Sequence, residues 1–237
     1  MKDHPNWFYN EMKHTGVDYS SSAQVAVYDE RHQKFRDYKK GAEAIIDALA
    51  LGPEDTVIDM GVGTGAFTLH AATRVKTIYA VDVSPVMLAY THRKAREACL
   101  KNIVFCHGGF LTYEHQAAPV DAVVSVAVLH HLPDFWKGVA LRRVAQMLKP
   151  GGRFYLFDVV FPAELADYET RFNGWVDGMA QTVGADFAAE AETHIRDEYS
   201  TYAWAMEGLL TRAGFRIDSA AYADGFGGAT YLCAKAA

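Results

Sequence analysis

The chain has 237 residues, half of them hydrophobic, and a net charge of −6 with acids and bases mixed along its length. That length and composition suffice for one sizeable core. No basic block is present to sustain contact with duplex phosphates, and the longest apolar run is far short of a membrane span.

The N-terminus, Met1-Lys2-Asp3-His4-Pro5, lacks the apolar core of an export signal. Residues 1–22 show no regular period. From Ala23, the residues Val25, Tyr28, His32 and Phe35 recur at helical spacing, and Tyr38, Ala42, Ile45 and Leu49 predict a second helix stopped by Gly52-Pro53. The second helix reads as a layer on a sheet. The first reads either as a cap over a ligand site or as an amphipathic packing helix with a solvated charged face.

Thr56 to Ala72 reads T-V-I-D-M-G-V-G-T-G-A-F-T-L-H-A-A. A short apolar run ends on Asp59, three glycines follow at alternate positions (Gly61, Gly63, Gly65), and a helical pattern begins at Phe67. Glycine permits positive φ and close approach of a ligand to the backbone, and the helix behind the turn offers unpaired N–H groups. The next strand, Thr77 to Val81, ends on Asp82, about 20 residues beyond the glycines, the offset at which a carboxylate holds ribose hydroxyls. Ser84-Pro85 reads as an N-cap with proline at the first helical position. Together these predict an adenosine site.

Ile103 to Cys106 and Ala122 to Ala127 are continuous apolar runs, as strands covered on both faces require. A helix over Phe135 to Leu148 is expected to end at Gly151-Gly152, before a fifth strand from Arg153 to Val159. Leu165, Tyr168, Phe172, Trp175, Met179 and Val183 suggest a helix; Ala185 to Arg196 follows, with His194 among acids. Ser200 is expected to cap a helix over Thr201 to Arg212, and Phe215 to Ala221 and Thr230 to Ala234 read as a closing hairpin. The expectation is an α/β fold: a doubly wound, mostly parallel seven-stranded sheet with helices on both faces, a C-terminal antiparallel hairpin and an N-terminal helical cap. One domain is expected over 1–237, comprising a cap (1–40), a cofactor-binding core (41–160), a substrate cover (161–200) and a closing helix and hairpin (201–237). Cys99, Cys106 and Cys233 are odd in number and fit no metal spacing. Packed thiols are expected at Cys106 and Cys233, and a reducing compartment suits them, so the chain is expected to be soluble and cytoplasmic.

V-I-D-M-G-V-G-T-G (57–65), V-D-V-S-P (81–85), V-D-A-V-V-S-V-A-V-L-H-H-L (120–132) and L-K-P-G-G-R-F (148–154) stand in one order along the chain. In these blocks the chain resembles the class I S-adenosylmethionine-dependent methyltransferases. The resemblance implies S-adenosylmethionine as cofactor, with S-adenosylhomocysteine as product. It implies that the three glycines approach the amino-acid end, that Asp59 meets its ammonium directly or through water, and that Asp82 takes the ribose hydroxyls. Val83 and Met87 would pack on adenine, with Gly109 and Phe110 on the other side, and Val126 would face the methionine part. Many members place an acid or amide after the third strand against adenine, whereas this chain reads Gly108-Gly109-Phe110.

The same resemblance implies in-line displacement at the methyl carbon, in which positioning supplies much of the rate. His131 is the candidate for a base, ahead of His130, with Asp158, Trp175 and His194 as further pocket residues. Neighbouring residues on a strand or loop point apart and no third ligand is evident, so no metal is expected. The acidic balance and the aromatic cover point to a small, partly apolar acceptor rather than nucleic acid, and no membrane partner is expected. Two other readings stand beside this one: a non-catalytic cofactor-binding regulatory module and a nicotinamide-dependent oxidoreductase.

Overall fold

The computed structural model describes residues 5–13, 37–162, 164–223 and 228–236. The helix expected over Ala23 to Phe35 lies outside the described residues. The second one, α1 (Tyr38–Ala48), forms with Asp37 as N-cap accepting from Lys40 N at 3.0 Å.

The core alternates as expected: β1 (Thr56–Met60), α2 (Thr68–Ala71), β2 (Thr77–Asp82), α3 (Pro85–Glu97), β3 (Ile103–His107), β4 (Val120–Val126), a 3-10 turn (Leu129–His131), α4 (Asp134–Met147) and β5 (Leu148–Phe161). A short 3-10 turn leads into α5 (Tyr168–Thr182). After it come α6 (Ala185–Asp197), β6 (Thr201–Tyr202), α7 (Ala203–Ala213), β7 (Phe215–Ala223) and β8 (Gly228–Lys235). Ser84 caps α3 by accepting from Met87 N, with Pro85 in the first turn.

The sheet runs β3-β2-β1-β4-β5-β8-β7, and β6 pairs with the far end of β5 through Val160 and Thr201. Pairs among β1 to β5 are parallel; β8 is antiparallel to both β5 and β7, which makes the closing hairpin. Strand side chains alternate between the two faces. Val123 therefore joins Leu141, Val144, Met206 and Leu210 under α4 and α7, whereas Val124 joins Ile45, Leu49, Phe67 and Ala71 under α1 and α2. Both faces of β4 are thus covered, which is why it reads as an unbroken apolar run; β3, expected to be covered likewise, stands at the sheet edge with Val104 exposed.

Two boundaries differ from expectation. β5 begins at Leu148 rather than Arg153, because Leu148 already pairs with Val120 before an irregularity resets the register at Arg153. Gly151-Gly152 therefore lie inside that strand's irregular start. Ser200 does not cap α7: Thr201 and Tyr202 extend along β5, and the helix starts at Ala203 without a side-chain cap. Cys106 is half-buried and Cys233 fully buried, both as free thiols.

Candidate active site

Chain order reverses between β1 and β4, and a crevice opens there beyond the carboxyl ends of the strands. Gly61 N and Val62 N both donate to Val81 O, at 2.8 and 3.0 Å, which fastens the glycine turn to β2. Gly63 N donates to Asp82 Oδ2 at 2.9 Å, and Ser84 N to Asp82 Oδ1 at 2.8 Å. Val83 N also bears on this carboxylate, and the two oxygens have four acceptor sites between them, so at least one remains for a ligand hydroxyl. Gly61 has φ +80°, and a Cβ there would lie 2.3 Å from Val128 Cγ2. Gly63 has φ +51° with open space where a side chain would begin.

A cavity of about 460 Å³ occupies the crevice, within the range of small-molecule sites. Gly61, Gly63, Asp82, Val83 and Met87 border it, with Gly109 and Phe110, and Val126 and His131 line it as well. Trp175, Met179, Phe187 and His194 from α5 and α6 form the far end. Asp59 and Gly65 do not border the cavity. Gly65 lets the helices close together, since a Cβ there would sit 2.6 Å from Thr91 Cγ2. Asp59 is buried behind the turn, accepting from Thr68 Oγ1 at 2.6 Å. Burial, only partly offset by that bond, pushes its carboxyl up to about 7.

An acid does stand at the Gly108-Gly109-Phe110 corner, supplied by the N-terminal segment. Glu11 Oε1 accepts from Thr112 N at 2.7 Å and Thr112 Oγ1 at 2.6 Å, and both its oxygens lie 3.0 Å from Leu111 N. Nothing in the local sequence around Glu11 signals this, because its partners are about 100 residues away. Tyr9 adds a second tie, donating from its hydroxyl to His131 O at 3.3 Å.

The two histidines after β4 depart from expectation. On a 3-10 turn successive side chains are not held to opposite faces, and the rings of His130 and His131 lie 4.3 Å apart. His130 Nδ1 is 2.5 Å from Asp158 Oδ1, and His130 N donates to Asp158 Oδ2 at 3.1 Å. On its other side His130 Nε2 lies 3.4 Å from Glu198 Oε2. His194 Nδ1 contacts the same Glu198 oxygen, and His194 Nε2 lies 2.6 Å from Ser200 Oγ. The structure thus gathers His130, His131, Asp158 and His194, all singled out in the sequence, and adds Glu198. The signal for Glu198 was its place four residues after His194.

Burial works against a charge on His130, but Asp158 prevails and raises its pKa. Burial would raise the Glu198 carboxyl; the His194 hydrogen bond and the charge of His130 outweigh that and hold it at about 2. His131 is pushed down to about 3 by burial and then by His130. A base that weak has little driving force to take a proton near neutrality.

Glu198 is held in place from outside the cavity. Tyr199 N donates to His130 O at 2.9 Å, and the fully buried Lys137 donates to Tyr199 O and to Asp134 Oδ1. Thr201 Oγ1 donates to Asp134 Oδ2 at 2.9 Å, completing the link between the 198–201 segment and α4.

The geometry defines a Rossmann-like α/β protein with a lined crevice at its switch point. Comparisons narrow the class. Residues 57–152 match the family model described as a methyltransferase domain. An uncharacterized methyltransferase of Geobacillus sp. (strain WCH70) is 32% identical over 143 residues, covering 60% of this chain. The chain spans 63% of the length of the first two curated relatives it matches. In fold it is similar to an S-adenosylmethionine-dependent methyltransferase from Clostridium acetobutylicum ATCC 824 (TM-score 0.69, 16% identity, 91% of this chain and 98% of that one). It is also similar to the [4+2]-cyclase SpnF (TM-score 0.63, 18% identity, 84% and 80%). In sequence and fold the chain is thus similar to Rossmann-like S-adenosylmethionine-dependent methyltransferases.

Proposed function

We propose that the protein transfers a methyl group from S-adenosylmethionine to a small, partly apolar acceptor. The observation that carries this reading is the single cavity that joins the Asp82 and glycine-turn wall to an aromatic chamber under α5 and α6. The residues fit the cofactor. Gly63 offers bare backbone facing open space, and Asp82 keeps acceptor capacity for a ligand hydroxyl. Val83 and Met87 supply an apolar wall for a base, and Gly109 on the opposite side lets the Glu11 carboxylate pack against its backbone.

When bound, the cofactor supplies an electrophilic methyl on a good leaving group. The chain's part is to orient and to exclude water. Asp82 and the glycine turn fix one reactant, while Trp175, Met179 and Phe187 enclose the other in a dry pocket beside His131. Holding two reactants in attack geometry is worth up to about 7–11 kcal/mol in favourable intramolecular models. With proton removal by His131 weak, positioning is the main contribution we assign to the protein.

The test is calorimetry with S-adenosylhomocysteine, followed by incubation with methyl-labelled cofactor and either a metabolite extract or total RNA. Heat with the nucleoside and label in the metabolite fraction support the reading. Label in RNA alone would remove the small acceptor. A fold shared with a cyclase favours keeping a second outcome in the design: cofactor binding without label in either fraction would mark a protein that uses the site for another purpose.

A further inference from the structure

We propose that His130, His131 and Glu198 form a binding site for a divalent transition-metal ion at the acceptor end of the cavity. One ligand atom from each residue lies within 4.8 Å of the others, and all three residues border the cavity. Tetrahedral coordination at zinc-to-nitrogen lengths of about 2.0–2.1 Å separates ligand atoms by roughly 3.3 Å. The 3.4 Å between His130 Nε2 and Glu198 Oε2 already matches that edge. Bringing His131 to the same spacing takes a side-chain movement on the order of 1 Å, set by the same bond lengths.

The surroundings have the form of a metal site's outer shell. Metal-bound histidines usually have their second ring nitrogen held by a carboxylate, and ligating carboxylates are themselves hydrogen-bonded. Here Asp158 holds Nδ1 of His130, which turns Nε2 toward Glu198, and His194 holds Glu198. The Lys137, Asp134 and Thr201 network fixes the backbone that carries Glu198. Two imidazoles and one carboxylate favour zinc, cobalt or iron over magnesium and calcium, which prefer all-oxygen sites.

Three protein ligands leave a coordination position facing the cavity. Resting on the methyl-transfer reading, we assign that position to an oxygen of the acceptor, which makes the acceptor a hydroxyl- or carboxylate-bearing molecule. Metal binding itself does not depend on that reading.

The experiment uses the full chain stripped with a chelator and titrated with Co²⁺. The expected result is one equivalent bound, visible d–d absorption of a four- or five-coordinate ion, and hyperfine-shifted resonances from two histidine rings. Zn²⁺ displaces the cobalt and Mg²⁺ does not. His131→Ala and Glu198→Gln, checked for folding by circular dichroism, each weaken Co²⁺ binding by about 100-fold or more, and Asp158→Asn by about 10–100-fold. No uptake by the unaltered chain, a spectrum without histidine shifts, or folded variants that bind as well as the parent would each overturn the site. S-adenosylhomocysteine calorimetry on the metal-free parent reports the cofactor reading separately, so the two fail independently.

Discussion

The carboxylate of Glu11 stands where a side chain at residue 109 would begin: a Cβ on Gly109 would fall 2.5 Å from Glu11 Oε2. The N-terminal segment and the corner after β3 are therefore fitted to each other. We expect Gly109→Ala to expel that carboxylate and strand the Leu111 and Thr112 amides. Hydrogen bonds to a charged group are worth about 1.5–3 kcal/mol, so Glu11→Ala should destabilise by about 2 kcal/mol. In urea unfolding, the Gly109→Ala penalty should shrink in the Glu11→Ala background; additive penalties would show that the two do not interact.

Asp82→Asn tests the proposed grip on the ribose. The replacement offers one acceptor oxygen in place of two, while Gly63 N and Ser84 N each need one. Affinity for S-adenosylhomocysteine should fall by about 10–100-fold, the equivalent of one or two charge-assisted hydrogen bonds. Unchanged affinity by calorimetry would remove Asp82 from the site.

Gly61→Ala places a methyl group inside Val128 and asks a non-glycine residue to hold φ +80°. Overpacking typically costs 1–3 kcal/mol, and the backbone conformation adds about 1 kcal/mol. Val128→Ala in the same chain should recover the packing part only. A thermal melt of the pair that matches Gly61→Ala alone would show that the clash is not the cause.

Asp59 predicts a pH dependence opposite to that of most acids. Its folded pKa, about 7, lies above the ordinary 3.8, because burial opposes its charge. The protonated form therefore favours the fold: this stabilisation is complete below about pH 4 and lost as the pH rises through 7. The shift sets a ceiling of about 4 kcal/mol. Asp59→Asn keeps an acceptor for Thr68 and removes the ionisation, so its urea midpoint should fall less than the parent's between pH 4 and 7. Parallel profiles would assign the dependence elsewhere.

Local grammar made much of the fold readable. Strands covered on both faces are apolar throughout, and Ser84-Pro85 starts a helix by the same chemistry wherever it occurs. Asp82 and the glycines could be found because their spacing along the chain follows from one strand-turn-helix unit. Glu11 and Glu198 could not be ranked this way. Their roles come from packing across about 100 and 70 residues, onto Thr112 and His130, and no periodicity records such a meeting. The approach of His130 to His131 runs against the alternation of a strand because both stand on the 3-10 turn that follows β4.

The cavity's two ends come from different lengths of chain: residues 61–110 build most of one wall, while α5, α6 and Glu198 build the other. Evolution can therefore retune the second without disturbing the first. On the methyl-transfer reading we propose, exchanging residues 165–197 between relatives should redirect which molecule is modified, with affinity for S-adenosylhomocysteine left intact.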